Sequence, residues 1–238
     1  MEVSLQLYSI HEETKKNFRE AIKHVAEIGY KGVEFAGYGG LTAEEAADLL
    51  RANHLYSVGC HCGLPVFAEA FAEELQLCKT LGSKYIICPW AKLDTREEVD
   101  KLIRILNSCA DIAREENIRI GYHNHNFEFN RIDGKYILDI IAENTNDNVI
   151  LELDVFWLVY AGVDPVEYIN RWGKKIELIH MKQINADLAN VDAGDGIIDM
   201  RKIKEASKYA RYFIVEHEEF DKPVWDSIKN DYDYLSGI

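Results

Sequence analysis

The sequence predicts an α/β fold, a single (β/α)8 barrel, from three observations. Short apolar runs alternate with amphipathic stretches along all 238 residues. The eight apolar runs start roughly 25 to 35 residues apart, the length of one βα unit. Strands of a parallel sheet are buried on both faces and normally end in Val, Ile or Leu. Here four consecutive strands end instead in metal-ligand side chains, which suggests one shared site at the mouth of a barrel.

The expected strands are Val3–Tyr8, Gly32–Phe35, Tyr56–His61, Tyr85–Cys88, Arg119–His123, Val149–Asp154, Ile176–His180 and Tyr212–Glu216. Helices fill the gaps. Thr42-Ala43-Glu44-Glu45 and Thr95-Arg96-Glu97-Glu98 each fit a capping box. Asp164-Pro165-Val166-Glu167 combines an N-cap Asp, a Pro at the first helical position and an acid in the first turn. Phe18, Ile22, Val25 and Ile28 form one apolar stripe on a helix over Lys15–Ile28. Gly29, Gly82 and Gly173 suit left-handed helix ends. Nothing reads as a linker, so residues 1–238 are expected to form one barrel domain. An open doubly wound sheet would need a Gly-rich phosphate turn. Gly37-Tyr38-Gly39-Gly40 lacks that spacing and reads as a barrel loop.

Composition narrows the function. A net charge of −14 argues against a nucleic-acid surface and, more weakly, against anionic membranes. It reads as the solvated surface of a cytoplasmic protein. Five cysteines, an odd count without a small secreted framework, fit reduced thiols in that compartment. Cys60-His61-Cys62 lacks the spacing of a zinc knuckle. The N-terminal residues carry no basic, apolar leader, and no stretch is long enough to span a bilayer.

Alternate residues of a barrel strand face the interior. His123 with His125, Glu152 with Asp154, His180 with Lys182, and Glu216 with Glu218 therefore share faces near the C-terminal rim. Two imidazoles and two carboxylates can hold Mn²⁺, Mg²⁺, Co²⁺ or Zn²⁺ with positions left for substrate. Such an ion polarises a carbonyl, and a neighbouring base then moves a proton at the adjacent carbon. The plainer alternative for any one of these residues is a structural hydrogen bond. Glu152, one layer below the rim, could pair with Lys182 in this way.

Several segments together resemble the sugar phosphate isomerase/epimerase family of xylose isomerase-like TIM barrels. They are Gln6-Leu7-Tyr8-Ser9, the run Glu27 to Gly37, Tyr122-His123-Asn124-His125-Asn126-Phe127-Glu128-Phe129, Leu153-Asp154-Val155-Phe156-Trp157, His180-Met181-Lys182 and the run Val191 to Asp199. The superfamily also holds ketose 3-epimerases, inosose dehydratase and endonuclease IV. The resemblance implies one divalent ion held from four strand ends. Asp154, His180 and Glu216 match three of its ligands. The first, an acid in relatives, falls on His123, or on His125 if the strand is shifted. Glu216 and His125 become the proton-transfer pair, and Gln6, Glu128, Trp157 and Lys182 the substrate contacts. Trp157 stands where ketose epimerases carry a His. It cannot accept a proton but can stack on a sugar.

The function so implied is a metal-dependent isomerase or epimerase of a small sugar, keto-sugar or sugar phosphate. Two alternatives stand beside it: a lyase or dehydratase acting on a keto-inositol or 3-keto-glycoside, and a sugar-binding barrel without catalysis. A small-molecule partner is expected, and the resemblance leaves a homodimer open.

Overall fold

The computed structural model describes residues 1–238 and contains a closed barrel of eight parallel strands. These are β1 (Ser4–Gln6), β2 (Gly32–Phe35), β3 (Tyr56–His61), β4 (Tyr85–Cys88), β5 (Arg119–His123), β6 (Val149–Asp154), β7 (Ile176–His180) and β8 (Tyr212–Val215). Each pairs with the next, and β8 closes on β1 through Ser4↔Ile214 and Leu5↔Val215. The sequence places six of the eight strands to the residue. β1 and β8 are shorter than expected because the chain leaves the ladder early. After Gln6 it turns into a 3₁₀ segment, Leu7–Ile10, in which the Tyr8 N–H donates to the Gln6 side chain at 2.9 Å.

The principal helices are α1 (His11–Ile28), α2 (Ala43–Ala52), α3 (Leu64–Glu69), α4 (Phe71–Leu81) and α5 (Arg96–Arg114). They are followed by α6 (Ile137–Asn144), α7 (Val155–Tyr160), α8 (Pro165–Trp172), α9 (Met200–Ala206) and α10 (Val224–Ser236). Both capping boxes form, at Thr42 with Glu45 and at Thr95 with Glu98. Asp164 caps α8 by accepting from Val166 and Glu167. Gly82 ends α4 in the left-handed region at φ 73°. Gly173 does not act as expected: its φ is −40°, and the chain continues from α8 straight into a 3₁₀ turn. No helix is long and apolar enough to cross a membrane.

The barrel interior is layered. Ile87, Ile150, Leu178 and Ile214 belong to a small apolar cluster, separate from the larger core. Two residues further along the same strands the side chains become Glu152, His180 and Glu216. Strand geometry lifts each pair of residues by about 6–7 Å, so apolar floor and polar site are one layer apart. Gly121 completes the floor. A Cβ there would meet Ile87 Cδ1 at 2.2 Å and Ile150 Cδ1 at 3.0 Å. The Gly121→Ala change should therefore overpack the floor and cost about 1–3 kcal/mol, read as a lowered urea midpoint with unchanged slope. An unchanged midpoint would show that the floor has room to spare.

Candidate metal centre and active site

Two register shifts shape the site. One lies between Val33 and Glu34 on β2, the other between Leu151 and Glu152 on β6. Each immediately precedes a fully buried acid. The extra residues are Val58 on β3 and Glu177 on β7, each on the strand paired with the acid. Glu34 and Glu152 converge on the imidazoles of His61 and His180. His61 Nε2 lies 2.6 Å from Glu152 Oε2 and 3.2 Å from Glu34 Oε2. His180 Nε2 lies 2.9 Å from Glu34 Oε2 and 3.3 Å from Glu152 Oε2. The two rings stack with centroids 5.7 Å apart. Gln6, also buried, donates to Glu34 Oε2 at 2.7 Å.

Charge explains this lower layer. Burial opposes a charged His61, but Glu34 and Glu152 outweigh it and push the ring up to about 10. Burial likewise opposes a charged Glu152, and His180 and His61 hold it well below the usual carboxylate range. Each acid thus bonds the two rings through its Oε2, while Glu34 Oε1 and Glu152 Oε1 stay buried without a partner. Glu152 does not pair with Lys182, the plainer alternative considered from sequence.

One layer up, ligand atoms of His123, Asp154, His180 and Glu216 lie within 4.8 Å of one another, and all four residues are buried. His180 joins the layers, since its Nδ1 lies 3.2 Å from Glu216 Oε2. Asp154 Oδ1 caps α7 by accepting from Phe156 at 2.8 Å, whereas Asp154 Oδ2 is buried without a partner. His123 Nδ1 is also unpartnered, lying 3.3 Å from Glu152 Oε2 without hydrogen-bond alignment. Burial and then the neighbouring Glu216 raise Asp154 well above its usual range, although Lys182 opposes them. A divalent ion reaching Asp154 Oδ2 would reverse that balance and satisfy a buried oxygen whose isolation costs about 1–3 kcal/mol. The donor set therefore fits such an ion. A deeper set, His61, His123, Glu152 and His180, is equally compact. It offers one carboxylate, Glu152, against the two of the upper set, Asp154 and Glu216, so the upper set is the better site for a divalent cation.

Lys182 is 1% exposed and bonds Glu218 Oε2 at 2.5 Å, with Glu216 Oε2 at 3.6 Å. Its ammonium sits 5.0 Å from the Trp157 ring and 5.2 Å from that of Phe156. Burial opposes its charge, but Glu216, Asp154 and Glu218 raise it further, so it stays an ammonium. Glu216 in turn, against burial, is held well below the usual range by Lys182 and His180.

A cavity of about 300 Å³ opens above this cluster, lined among others by Tyr8, His61, Trp90, His123, His125, Glu216 and Glu218. His125 belongs to this wall. Burial, then the neighbouring His123, hold its ring down to about 3, so it is a neutral imidazole. Trp157 lies behind it at 5.5 Å between centroids. The four residues expected as substrate contacts are placed deeper than the sequence suggests. Gln6 orients Glu34, Lys182 is boxed by Glu218 and Trp157, and Trp157 backs His125. Glu128 is fully buried, accepting from Tyr122 Oη at 2.7 Å and from the His125 N–H at 2.8 Å. Each bonds or packs against another protein group, and none is among the residues lining the cavity. Glu34 and His61 were not singled out as site residues from sequence. Their signal was an acid between Val33 and Phe35, and a His at the last position of a buried strand.

Residues 22–235 match the family model described as xylose isomerase-like TIM barrel. The inosose dehydratase of Lacticaseibacillus casei is 30% identical over 247 residues, covering 85% of this chain and 82% of that one. The match to a further inosose dehydratase spans only 49% of that protein, about half its length. A sugar phosphate isomerase/epimerase structure from Parabacteroides distasonis superposes with TM-score 0.88 at 25% identity, covering 99% of this chain and 98% of the other. A zinc-bound structure of IOLI protein superposes with TM-score 0.79 at 18% identity, covering 100% and 99%.

Glu128 yields a pH prediction. Burial outweighs its hydrogen bonds and pushes its carboxyl up to about 7. Between the ordinary carboxylate value and about 7, the folded protein keeps a proton that the unfolded chain has lost. Stability therefore falls as pH rises through that window, and the loss is complete above it. Between pH about 5 and about 7.5, wild type should lose about 1–3 kcal/mol relative to Glu128→Gln in urea unfolding. Parallel curves would contradict the assignment. The chain belongs to the xylose isomerase-like TIM barrel family.

Proposed function

We propose that the protein is a metal-dependent lyase that removes water or an alcohol beside the ketone of a keto-inositol or keto-sugar. The observation that carries this reading is the charge of the cavity. Its wall holds two carboxylates, Glu216 and Glu218, no Lys or Arg, and one ring of raised proton affinity, His61, already bonded to Glu152 and Glu34. The nearest ammonium, Lys182, is spent on those carboxylates. Such a wall disfavours a phosphate group and suits an uncharged polyol. The dehydratase names of the sequence relatives support the lyase over the isomerase or epimerase expected first from sequence.

A divalent ion held by His123, Asp154, His180 and Glu216 would supply Lewis acidity to a substrate carbonyl and acidify the adjacent C–H. The zinc of the IOLI structure supports such an ion in this fold. His125, on the cavity wall, accepts the proton from that carbon as the negative charge developing on the substrate offsets the burial that keeps the ring neutral. The C–O bond at the next carbon then breaks, its electron pair leaving with the oxygen. His125 returns its proton to that oxygen, so water or an alcohol departs and a C=C bond conjugated to the ketone remains. Glu128 holds the His125 backbone during this exchange. Lys182 keeps Glu216 ionised, and Tyr8 and Trp90 flank the substrate.

In D₂O with added Mn²⁺, inosose should lose its α C–H signal and gain an enone absorbance. His125→Gln should slow both by about 10²-fold or more. Deuterium incorporation without loss of water would favour the isomerase or epimerase. No exchange with any polyol ketone would contradict enzymatic proton transfer.

A further inference from the structure

The wall that closes the candidate site on one side is also the wall of a second cavity. Trp90 lines the 300 Å³ cavity over the ligand cluster and a neighbouring one of about 540 Å³. The second cavity lies between the loop after β4 and the loop after β5, on the same face of the barrel. Phe127 packs edge-on to Trp90 with centroids 6.4 Å apart. Phe127 also stacks on His125 at 5.6 Å and 11°. An unbroken aromatic wall, Trp90–Phe127–His125, thus joins the groove to the proposed base. Trp90 is 55% exposed, a large indole left uncovered at the junction.

The groove's charges are already engaged. Lys92 lies 2.9 Å from Glu98 and 3.4 Å from Asp94. Arg131 donates to the Gly134 carbonyl at 2.6 Å and lies over the Tyr136 ring at 4.3 Å. Aromatic faces, an apolar wall at Ile137 and neutral hydrogen-bonding groups such as Asn130 suit an uncharged ring bearing hydroxyls. They do not suit an anion. Loss of water would need no such space, because the leaving group is then the smallest one there is. A bulky leaving group would need it.

We infer that the groove across Trp90 is a second-ring subsite, and that the substrates are keto-glycosides two rings long. The ketone-bearing ring occupies the cavity over the ligand cluster, and the ring joined through the glycosidic oxygen occupies the groove. The inference rests on the elimination proposed above and specifies its leaving group. His125 takes the proton beside the ketone, the glycosidic C–O bond breaks, and its electron pair leaves with the oxygen. The proton from His125 then completes a free sugar. The products are an unsaturated ketone and an alcohol, and no oxidant or reductant is consumed.

The test uses ligands that cannot react, titrated calorimetrically into the protein supplemented with Mn²⁺. Lactose and cellobiose supply two rings, and methyl β-galactoside and methyl β-glucoside supply one. At least one disaccharide should bind about tenfold tighter than its methyl glycoside, the gain expected of one stacked ring. Asn130 is exposed on the groove wall, so Asn130→Trp should fill the groove, remove that advantage and leave methyl glycoside binding unchanged. Trp90→Ala should cost the disaccharides more than the methyl glycosides. Equal affinities in wild type overturn the subsite. Inosose turnover in the same preparation would then show that the elimination itself stands. If inosose is not turned over and no glycoside binds, the elimination fails and the subsite falls with it.

Discussion

Everything at the mouth of the barrel depends on two carboxylates, Glu34 and Glu152, buried where water cannot reach them. An isolated charge there would be prohibitively costly, so each must hold a positive partner. They do so by clamping His61 and His180 between them. This fixes the His180 ring, whose Nδ1 then faces Glu216 in the layer above. Outer groups that orient a metal-binding histidine and keep its ring in place are a general requirement of such sites. The clamp also separates the layers electrically. The lower acids are bonded to the two rings, whereas Asp154, Glu216 and Glu218 gather around Lys182, with His180 Nδ1 beside Glu216.

Much of this was legible in the sequence because it depends on period. Parity along each strand put His123, Asp154, His180 and Glu216 on interior faces, and the structure brings their ligand atoms together. Capping boxes and Asp164-Pro165 marked helix starts because the chemistry that satisfies the first N–H groups is local. What remained hidden depended on depth and on register. The register shifts opposite Glu34 and Glu152 cannot be read from alternation. Gln6, Glu128, Trp157 and Lys182 carry substrate-contact chemistry, but side-chain length and packing turn them toward other protein groups. Gly173 failed as a left-handed helix end because the following Lys174 and Lys175 continue the turn.

Support and chemistry are therefore divided between residues adjacent in sequence. His123 faces the ligand cluster while His125, two residues on, faces the cavity. Glu216 faces the cluster while Glu218 accepts the Lys182 hydrogen bond. The cavity this leaves is acidic and aromatic, and its aromatic wall runs on into the groove beyond Trp90. An uncharged substrate with a ketone and many hydroxyls agrees with every part of that wall.

The account turns on which layer binds the ion, and elemental analysis decides it most directly. The proteins to compare are wild type, Asp154→Ala and His61→Gln, purified without an affinity metal and dialysed against Mn²⁺ or Zn²⁺. One ion per chain is expected in wild type, none in Asp154→Ala, and one, more weakly held, in His61→Gln. Wild type without an ion would contradict the account. So would an ion kept in Asp154→Ala but lost in His61→Gln, because the clamp itself would then be the metal centre.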